Sequence, residues 1–473
     1  MRNYNLLTSD LFKNVNEINK KITDKLLVSR YITNSYNPNQ SYCIIYLSNL
    51  VDKNMIYHFI IRPLIEYKEK TKGVDWIEES IIITGEIKTS NLIDEIVEEI
   101  LRGKTILLMD DKEFAWLIET NKREIRISSE PDIDKVLRGP REGFAESLLF
   151  NIGLVRRKIV STNLKFEMFE IGKETKTNYC LCYLTNLIDE NLLKMVKERL
   201  SKLEIDGVLD TNFISEKIKD NRFSPFKTIG VTERPDTFSS KLLKGKVGLI
   251  LDGTPVALFM PHLLLDNFLV SDDYYLNFYF SSFARFLRII GFIFSIIIPA
   301  VYVAITTHHR EVIPSPLALT IAQSHQDVPL PTVLECFVLL IIFDIIREAG
   351  LRTPMNIGQA LSVVGAIVIG QAAVQARLVS SPVVIIVALT AISSLVNPSL
   401  KGASVYLRFI FLFFAAIFGL YGCVIAGLFL LFYLLSHKSF TIQYVEKLFP
   451  FKYDNLKDSI VRLPRDDIHT KER

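Results

Sequence analysis

Hydrophobic residues follow two different patterns along the chain. In residues 1–284, short apolar runs such as YCIIYL and ILLMD alternate with segments such as NLIDEIVEEILRGK, in which apolar residues recur at i, i+3, i+4 and i+7. The short runs predict strands buried on both faces, and the periodic segments predict amphipathic helices. After residue 285 the apolar runs are long enough for membrane-spanning helices. The pattern therefore predicts a soluble α/β head followed by an all-α polytopic membrane domain.

The head contains a tandem duplication. Residues 42–54 read YCIIYLSNLVDKN and residues 179–191 read YCLCYLTNLIDEN, with eight of thirteen positions identical. Farther along, LRGKTILLMDD (101–111) matches LKGKVGLILDG (243–253). Solenoid repeats have periods of about 20–50 residues, so these offsets of 137 and 142 residues indicate two duplicated small domains. The predicted domains are a first α/β subdomain (1–130), a second α/β subdomain with a membrane-proximal segment (131–284), a transmembrane domain (285–437) and a cytoplasmic tail (438–473).

The two copies have the same residue types at the places where their helices and strands end. Gly103 and Gly245 stand where a helix must stop before a strand. Asp110 and Asp252 follow the matching strands. Each aspartate could contribute to a ligand or ion site, but an aspartate at a strand exit more often bonds the backbone, and we favour that reading.

Four long apolar runs follow residue 285, at 289–305, 357–376, 379–396 and 409–435. The last run, with 27 residues, is long enough for one tilted crossing and too short for two. The run 333–346 is shorter and carries two carboxylates, which favours a buried or re-entrant segment. The transmembrane domain is therefore predicted to contain four to six helices. The positive-inside rule favours an even number of crossings, with both termini in the cytoplasm.

Charge and cysteine content narrow the class of protein. Residues 286–436 carry 12 charged side chains in 151 positions, whereas the other 322 positions carry 95. The net charge of +3 gives no support for nucleic-acid binding. The five cysteines form no CxxC pair, so we expect reduced, buried thiols.

The start of the chain lacks the apolar core of a signal peptide, so we expect a cytoplasmic head and an uncleaved first span.

Familiar catalytic patterns are not found in the sequence. Gly245-Lys246 lacks the earlier glycine of a phosphate-binding loop. His308 and His309 are adjacent and so cannot share a helix face as zinc ligands would. We therefore expect no enzymatic activity, no cofactor and no metal.

Polar groups within the apolar runs are the candidates for function, because such groups normally face a bundle interior or a wet cavity. Gln371 and Gln375 lie one helical turn apart, so both amides project from one face. Asp344 and Arg347 stand at positions i and i+3, so an ion pair within the helix explains them as well as a functional role does. The candidates for a pore or for coupling are Glu335, Asp344, Arg347, Glu348, Gln371 and Gln375.

Small residues recur at every fourth position in two of the runs. Such stripes let helix backbones approach closely in lipid, and we expect a packing role for them and not a ligand role. The helix-packing candidates are Ser362, Ala366 and Gly370 in one run and Ala415, Gly419, Cys423 and Gly427 in the other.

The stretch 138–159, RGPREGFAESLLFNIGLVRRKI, combines opposite charges. If it is helical, Glu142 and Glu146 share a face, and the closing arginines favour the helix dipole. Two interpretations explain this pattern equally well. One is a solvated helix, and the other is a subunit–subunit contact that transmits a head rearrangement to the spans. The contact candidates are Arg138, Arg141, Glu142, Glu146, Arg156 and Arg157. Proline turns in SPF (224–226) and TERPD (232–236) are expected to set how the second subdomain docks on the membrane domain.

The stretch 138–159 also resembles the signature of the A subunits of GerA-type spore germination receptors. Further matching stretches follow in order over nearly all of the chain after residue 100. They are SPF (224–226), TERPD (232–236), DGTP (252–255), SDDYY (271–275), PAVYVA (299–304), EAGLRTP (348–354), VIGQAAV (368–374) and LKDSIVRLP (456–464).

The resemblance implies an inner-membrane protein of a dormant spore that works with a transporter-like, nutrient-binding B subunit and a lipoprotein C subunit. It also implies a homo-oligomer, for example a pentamer, that forms a nutrient-gated channel for monovalent cations. A stage V sporulation AF-type paralogue that amplifies germination and a non-conducting scaffold remain alternatives. A secondary transporter is disfavoured, because the repeat lies in the head and not in the spans.

Overall fold

The chain folds into two compact units. The head unit contains the chain up to Lys219 together with Ile229–Pro261, and the helical unit contains Asp220–Thr228 together with His262–Ile468. The predicted boundary at 284/285 marks the start of the apolar runs, whereas the helical unit also includes the preceding segment. The computed structural model describes residues 5–36, 40–66, 87–121, 130–131, 134, 136, 138–352, 368, 370–446, 448 and 458–464.

The head unit contains two five-stranded sheets. The first is built from β1 (Leu27–Thr33), β2 (Ser41–Leu47), β3 (Ile87–Ser90), β4 (Thr105–Met109) and β5 (Ala115–Ile118). The second is built from β6 (Leu164–Ile171), β7 (Thr177–Leu184), β8 (Gly230–Thr232), β9 (Val247–Leu251) and β10 (Ala257–Met260). Their orders, β1-β2-β4-β5-β3 and β6-β7-β9-β10-β8, are the same, and the pairings among these strands are antiparallel. The duplicated sequence thus corresponds to a duplicated sheet.

Helices cover the sheets of the head unit. They are α1 (Leu11–Lys21), α2 (Lys53–Ile56), which continues through a π-helical turn (Tyr57–Ile61) into α3 (Arg62–Glu66), α4 (Ile93–Leu101), α5 (Leu148–Lys158), α6 (Glu190–Ser201), α7 (Thr211–Ile218) and α8 (Pro235–Leu243). One face of α4 supplies Ile93, Ile96, Val97 and Ile100 to the core, as its spacing predicts. Gly103 and Gly245 have φ of 94° and 77°, which explains why glycine stands at these helix ends.

The duplication extends to individual hydrogen bonds. Asn14 in α1 accepts from the backbone of Thr8 (2.9 Å) and donates back to it (2.5 Å), and Asn151 in α5 does the same with Ala145 (2.8 and 2.6 Å). Asp110 accepts from the first N–H of α1 at 3.4 Å, and Asp252 accepts from the first N–H of α5 at 2.9 Å. The two aspartates therefore fasten a helix start to a strand end, which is the backbone role favoured above.

The predicted helix over the charged stretch is wrong in its first half. Residues 138–147 are not helical, and α5 begins only at Leu148. The Gly139-Pro140 pair and Gly143 disfavour a continuous helix here. Glu142 and Glu146 therefore do not share a helix face. The closing arginines do lie in the last turn of α5, as predicted.

The helical unit is built around long helices. They are α9 (Phe278–Thr307), α10 (Ser315–His325), α11 (Thr332–Arg352), α12 (Ser381–Leu395) and α13 (Lys401–Ser436), with short 3-10 turns at Leu265–Phe268, Ser271–Tyr274, Arg310–Val312 and Pro398–Leu400. A two-stranded ribbon, β11 (Lys438–Ser439) with β12 (Ile442–Gln443), follows α13. Residues 370–375 are also helical.

The helices share two ends, which we call proximal, where α9 begins, and distal, where α9 finishes. At the proximal end, the side chain of Asn397, just after α12, bonds the carbonyl of Arg288, and Arg347 near the end of α11 bonds Ser394 (3.2 Å). At the distal end, Glu335 near the start of α11 accepts from Ser380, which precedes α12. Helices α11 and α12 therefore run in opposite directions, and α12 also runs opposite to α9.

Helix α13 reverses direction at Gly419, so the run 409–435 is not the single continuous helix that the sequence predicted. Gly419 has φ 61° and ψ −139°, which breaks the helix into limbs at 401–418 and 420–436. The rings of Phe414 and Phe429 are 6.3 Å apart, whereas fifteen residues of continuous helix would separate them by about 22 Å. The apolar run hides the reversal because both limbs are hydrophobic.

The reversal also changes the reading of the small-residue stripes. Ala415 and Gly427 lie on different limbs, so the stripe does not form one packing face. A Cβ on Gly427 would meet nothing within 4 Å, whereas one on Gly419 would lie 2.6 Å from the ring of His309. A Cβ on Gly370 would lie 3.7 Å from Val384 of α12, which is an ordinary packing distance. Ser362 and Ala366 lie outside the described residues.

Two helical segments in the described part of the chain are long and apolar enough to cross a membrane, by length and composition. They are Phe278–Thr307 and Pro398–Ser436, and the second contains the break at Gly419. Helix α12 is apolar but shorter. Helix α11 has 21 residues, more than the predicted run, and includes four charged side chains near or beyond its middle and one near its start.

Replacing Gly419 by alanine should destabilise the helical unit. Its φ and ψ belong to a region open essentially to glycine, so we expect a loss of about 1–3 kcal/mol, measured by thermal unfolding in detergent. The matched control is Gly427→Ala, which should be neutral or slightly stabilising because its Cβ meets open space in a regular helix. Equal effects of the two substitutions would contradict the reversal.

Candidate functional site

A carboxylate at the proximal end is held between two arginines. Asp344 Oδ1 lies 3.1 Å from Arg347 Nη2, so the predicted i,i+3 ion pair is present. Arg408, on the first limb of α13, donates through Nη2 to the other oxygen of Asp344 at 2.5 Å. Arg408 is 1% exposed. Sequence reasoning missed Arg408, although an arginine inside an apolar helix signals a need for such a partner.

A second buried carboxylate lies at the distal end. Glu335 is fully buried, and its Oε2 accepts from the N–H and the hydroxyl of Ser380, both at 2.8 Å. The Nε2 of His325, at the end of α10, lies 3.2 Å from the Ser380 hydroxyl and 3.6 Å from Glu335 Oε1. The three residues connect α10, α11 and the start of α12. Glu335 is therefore an internal connector in this structure and does not line open space.

A third carboxylate organises the base of α9. Asp273, in the SDDYY stretch, is 1% exposed and accepts from Arg285 (2.9 Å) and Arg288 (2.8 Å). Arg285 also donates to the carbonyl of Asp458 at 2.7 Å, and the Asp458 carboxylate accepts from the Tyr274 hydroxyl at 2.9 Å. The SDDYY and LKDSIVRLP stretches thus meet at the start of α9. No role was predicted for these residues.

The six predicted pore or coupling candidates do not form one site. Asp344 and Arg347 lie toward the proximal end, while Glu335 lies at the distal end. Glu348 pairs with Arg352 on the exposed face of α11, at 2.9 Å. Gln371 and Gln375 both have exposed side chains on the helical residues 370–375, so their shared face is open in a single copy.

The six predicted contact candidates fall into two groups. Arg138, Arg141, Glu146 and Arg157 are exposed, and Arg141 pairs loosely with Glu130 at 3.1 Å. Glu142 pairs with Lys158 at 2.9 Å. Arg156 is different, because it is 2% exposed and forms an ion pair with Asp24. Burial lowers the pKa of Arg156, and the carboxylate of Asp24 opposes that shift.

Arg156 therefore joins the two subdomains of one chain. Asp24 lies before β1, and Arg156 closes α5 at the beginning of the second copy. A Cβ on Gly153, one turn earlier, would lie 3.5 Å from the side chain of Leu50 in the first copy. The prediction of an intermolecular contact is thus wrong for Arg156, since its guanidinium is enclosed within the head unit.

The TERPD stretch secures the linker between the two sheets. Arg234 is 1% exposed, bonds Asp236 (2.7 Å) and donates to the carbonyl of Pro140 (2.9 Å). Thr232 donates to Asp134 in the same linker at 2.7 Å. These contacts give TERPD a structural role within the head unit. The sequence had predicted only a turn that sets how the second subdomain docks on the membrane domain.

The SPF stretch contributes to the helical unit. Ser224 Oγ lies 3.2 Å from His437 Nε2, directly after α13, and the ring of Phe226 packs near those of Tyr433 and Tyr444. Burial lowers the pKa of His437, and Asp220 opposes that shift. In sequence, residues 220–228 lie between α7 and β8, so the chain enters the helical unit here and then returns to the head unit.

The structure thus combines a duplicated antiparallel α/β head with a helical unit that contains membrane-length apolar helices. Residues 13–473 match the model of the family described as Bacillus/Clostridium GerA spore germination protein. The chain belongs to this family, which confirms the resemblance to GerA-type A subunits.

Two relatives with similar sequences agree with this assignment. Spore germination protein KA of Bacillus subtilis (strain 168) is 38% identical over 97% of this chain and 85% of its own length. The membrane protein YfkQ of the same organism is 36% identical over 89% of this chain and 83% of its own length. The crystal structure of the N-terminal domain of the A subunit of the Bacillus megaterium spore germinant receptor GerK3 matches 56% of this chain and 99% of that chain, with 25% identity and a TM-score of 0.44.

Replacing Asp344 by asparagine should destabilise the helical unit by about 3 kcal/mol, because it leaves the buried guanidinium of Arg408 uncompensated. The control is Glu348→Gln, which removes an exposed carboxylate from the same helix and should change stability by less than about 0.5 kcal/mol. Thermal unfolding in detergent measures both. Adding Arg408→Gln to Asp344→Asn should recover part of the loss, and a further loss of similar size would argue against the pair.

Replacing Arg156 by alanine should destabilise the head by about 3 kcal/mol, since it leaves Asp24 buried without its partner. Arg157→Ala, one residue along and exposed, should stay within about 0.5 kcal/mol of the parent. Urea unfolding of the full chain, followed by tryptophan fluorescence, reports on this region because both tryptophans lie in residues 1–130. Equal midpoints for the two variants would refute the internal role of Arg156.

Proposed function

We propose that this chain is a membrane subunit of a nutrient germinant receptor in the inner membrane of the spore, and that it converts nutrient binding into germination. Membership of the GerA family carries this proposal, since that family comprises spore germination proteins. The proposed partners are a transporter-like B subunit, which binds the nutrient, and a lipoprotein C subunit. The proposed place of the head is the cytoplasm.

The reversal at Gly419 supports six crossings. The proposed crossings are α9, α11, the apolar run 357–376, α12 and the two limbs of α13. Each limb of about 17 residues reaches about 26 Å, close to the roughly 30 Å of a hydrocarbon core. Helix α11 can cross because Arg408 compensates Asp344 inside the bundle. Six crossings keep both termini in the cytoplasm, with the proximal end on that side.

Conduction is proposed to require several copies of the chain. Within the described part of one copy, the carboxylates of Asp344, Glu335 and Asp273 face arginine, histidine or hydroxyl partners and are not free to line a path for cations. Gln371 and Gln375, in contrast, present their amides outward. Amides are costly against lipid, so a position around the axis of a homo-oligomer suits them better. Monovalent cations are the proposed cargo, and a pentamer is one possible assembly.

Purified full chain, reconstituted in liposomes with the B and C subunits, should pass monovalent cations when the nutrient is added. Flux of K⁺ without flux of a large organic cation is the expected result. A complex that binds nutrient but remains silent in this assay would favour the alternative of a non-conducting scaffold.

Charge at Gln375 should tune this flux. Gln375→Glu should raise it and Gln375→Lys should lower it, each by about fivefold, because a unit charge beside a narrow path shifts the energy of a cation by about 1 kcal/mol. Gln323→Leu on α10 is the control for an exposed glutamine elsewhere, and its flux should match the parent. The same flux for the two charged variants would exclude Gln375 from the path.

A further inference from the structure

A groove of about 600 Å³ runs between α11 and the first limb of α13. Its floor is apolar and includes Ile341, Ile345, Val405 and Phe409. On α13, residues 401, 405 and 409 follow each other at i, i+4 and i+8, so Lys401 continues the stripe of Val405 and Phe409 toward the proximal end. The groove is thus apolar along its length and basic at one end.

The proximal end of the groove carries more positive than negative charge. Arg347 and Arg352 line this end together with Asp344 and Glu348. Lys401 lies beside them, and Arg408 is buried behind Asp344, so the basic side chains around this end outnumber the acidic ones by two. The Asp344 carboxylate is shared by two guanidinium groups, so it cannot neutralise both. Among the described residues, Arg352 pairs only with Glu348. Because the Arg352 side chain is 79% exposed, this ion pair contributes little stabilisation. An anion placed here would compensate the excess.

We propose that this groove binds an anionic phospholipid. An acyl chain would lie along Ile341, Val405 and Phe409, and the phosphate would lie between Arg352 and Lys401. The distance along α13 from Lys401 to Phe409 is about 12 Å, which suits the upper part of an acyl chain. Ile345 is 62% exposed, and an exposed apolar side chain beside basic residues is typical of a lipid-facing site. This inference rests on the proposed placement of the helical unit in a membrane.

The test places a fluorescent reporter in the groove. The full chain with Ile345→Trp is reconstituted in phosphatidylcholine vesicles that contain equal fractions of bromine-labelled phosphatidylglycerol or bromine-labelled phosphatidylcholine. We expect the brominated phosphatidylglycerol to quench the new fluorescence more strongly. Arg352→Gln and Lys401→Gln should each lower this preference by about fivefold. Arg310→Gln, an exposed arginine at the distal end, should leave the preference unchanged.

The outcomes separate this proposal from the proposed function. Equal quenching by the two lipids, or an unchanged preference in both glutamine variants, would overturn the lipid site while cation flux in the same vesicles stays intact. Loss of the preference on addition of inorganic phosphate alone would assign the site to a free anion and overturn it as well. Quenching by neither lipid would contradict the membrane placement itself. Circular dichroism confirms that each variant is folded before it is compared.

Discussion

Burying a charged side chain away from water costs several kcal/mol unless an opposite charge and hydrogen bonds compensate it, and the helical unit meets this constraint with three carboxylates. Asp344 joins α11 to α13, Glu335 joins α11 to the start of α12, and Asp273 joins the membrane-proximal segment to α9. The first two pairings connect segments 64 and 45 residues apart in sequence, whereas Asp273 lies only 12 residues before Arg285. The few polar groups in an otherwise apolar unit therefore decide which helices are neighbours.

The head is organised differently. Its two sheets come from the duplicated sequence, and the contact that joins the two copies comes from residues that differ between them. Asn14 and Asn151 make the same backbone bonds, and Asp110 and Asp252 fasten the same helix start. Divergence is clearest on α5, where Arg156 is buried against Asp24 of the first copy. An asymmetric contact of this kind holds the two subdomains together in one unit.

The sequence alone was sufficient for features that depend on local pattern. The two α/β copies follow from the sequence repeat, and the helix ends at Gly103 and Gly245 follow from local spacing. Local spacing also offered the Asp344–Arg347 pair as one of two equal alternatives. Features that depend on distant contacts were missed. The reversal at Gly419 is packed against His309, more than a hundred residues away, while four-residue spacing of small residues fits a straight helix equally well. Arg408 was missed for the same reason, since its partner lies on another helix.

The reversal of α13 decides the number of crossings, and side-specific labelling tests it most directly. In a Cys423→Ala background, a membrane-impermeant thiol reagent would be applied to either face of oriented vesicles bearing Tyr421→Cys, near the reversal, or Lys438→Cys, after α13. The account predicts that Tyr421→Cys reacts only from the outer face and Lys438→Cys only from the cytoplasmic face. Reaction of Lys438→Cys from the outer face would contradict it.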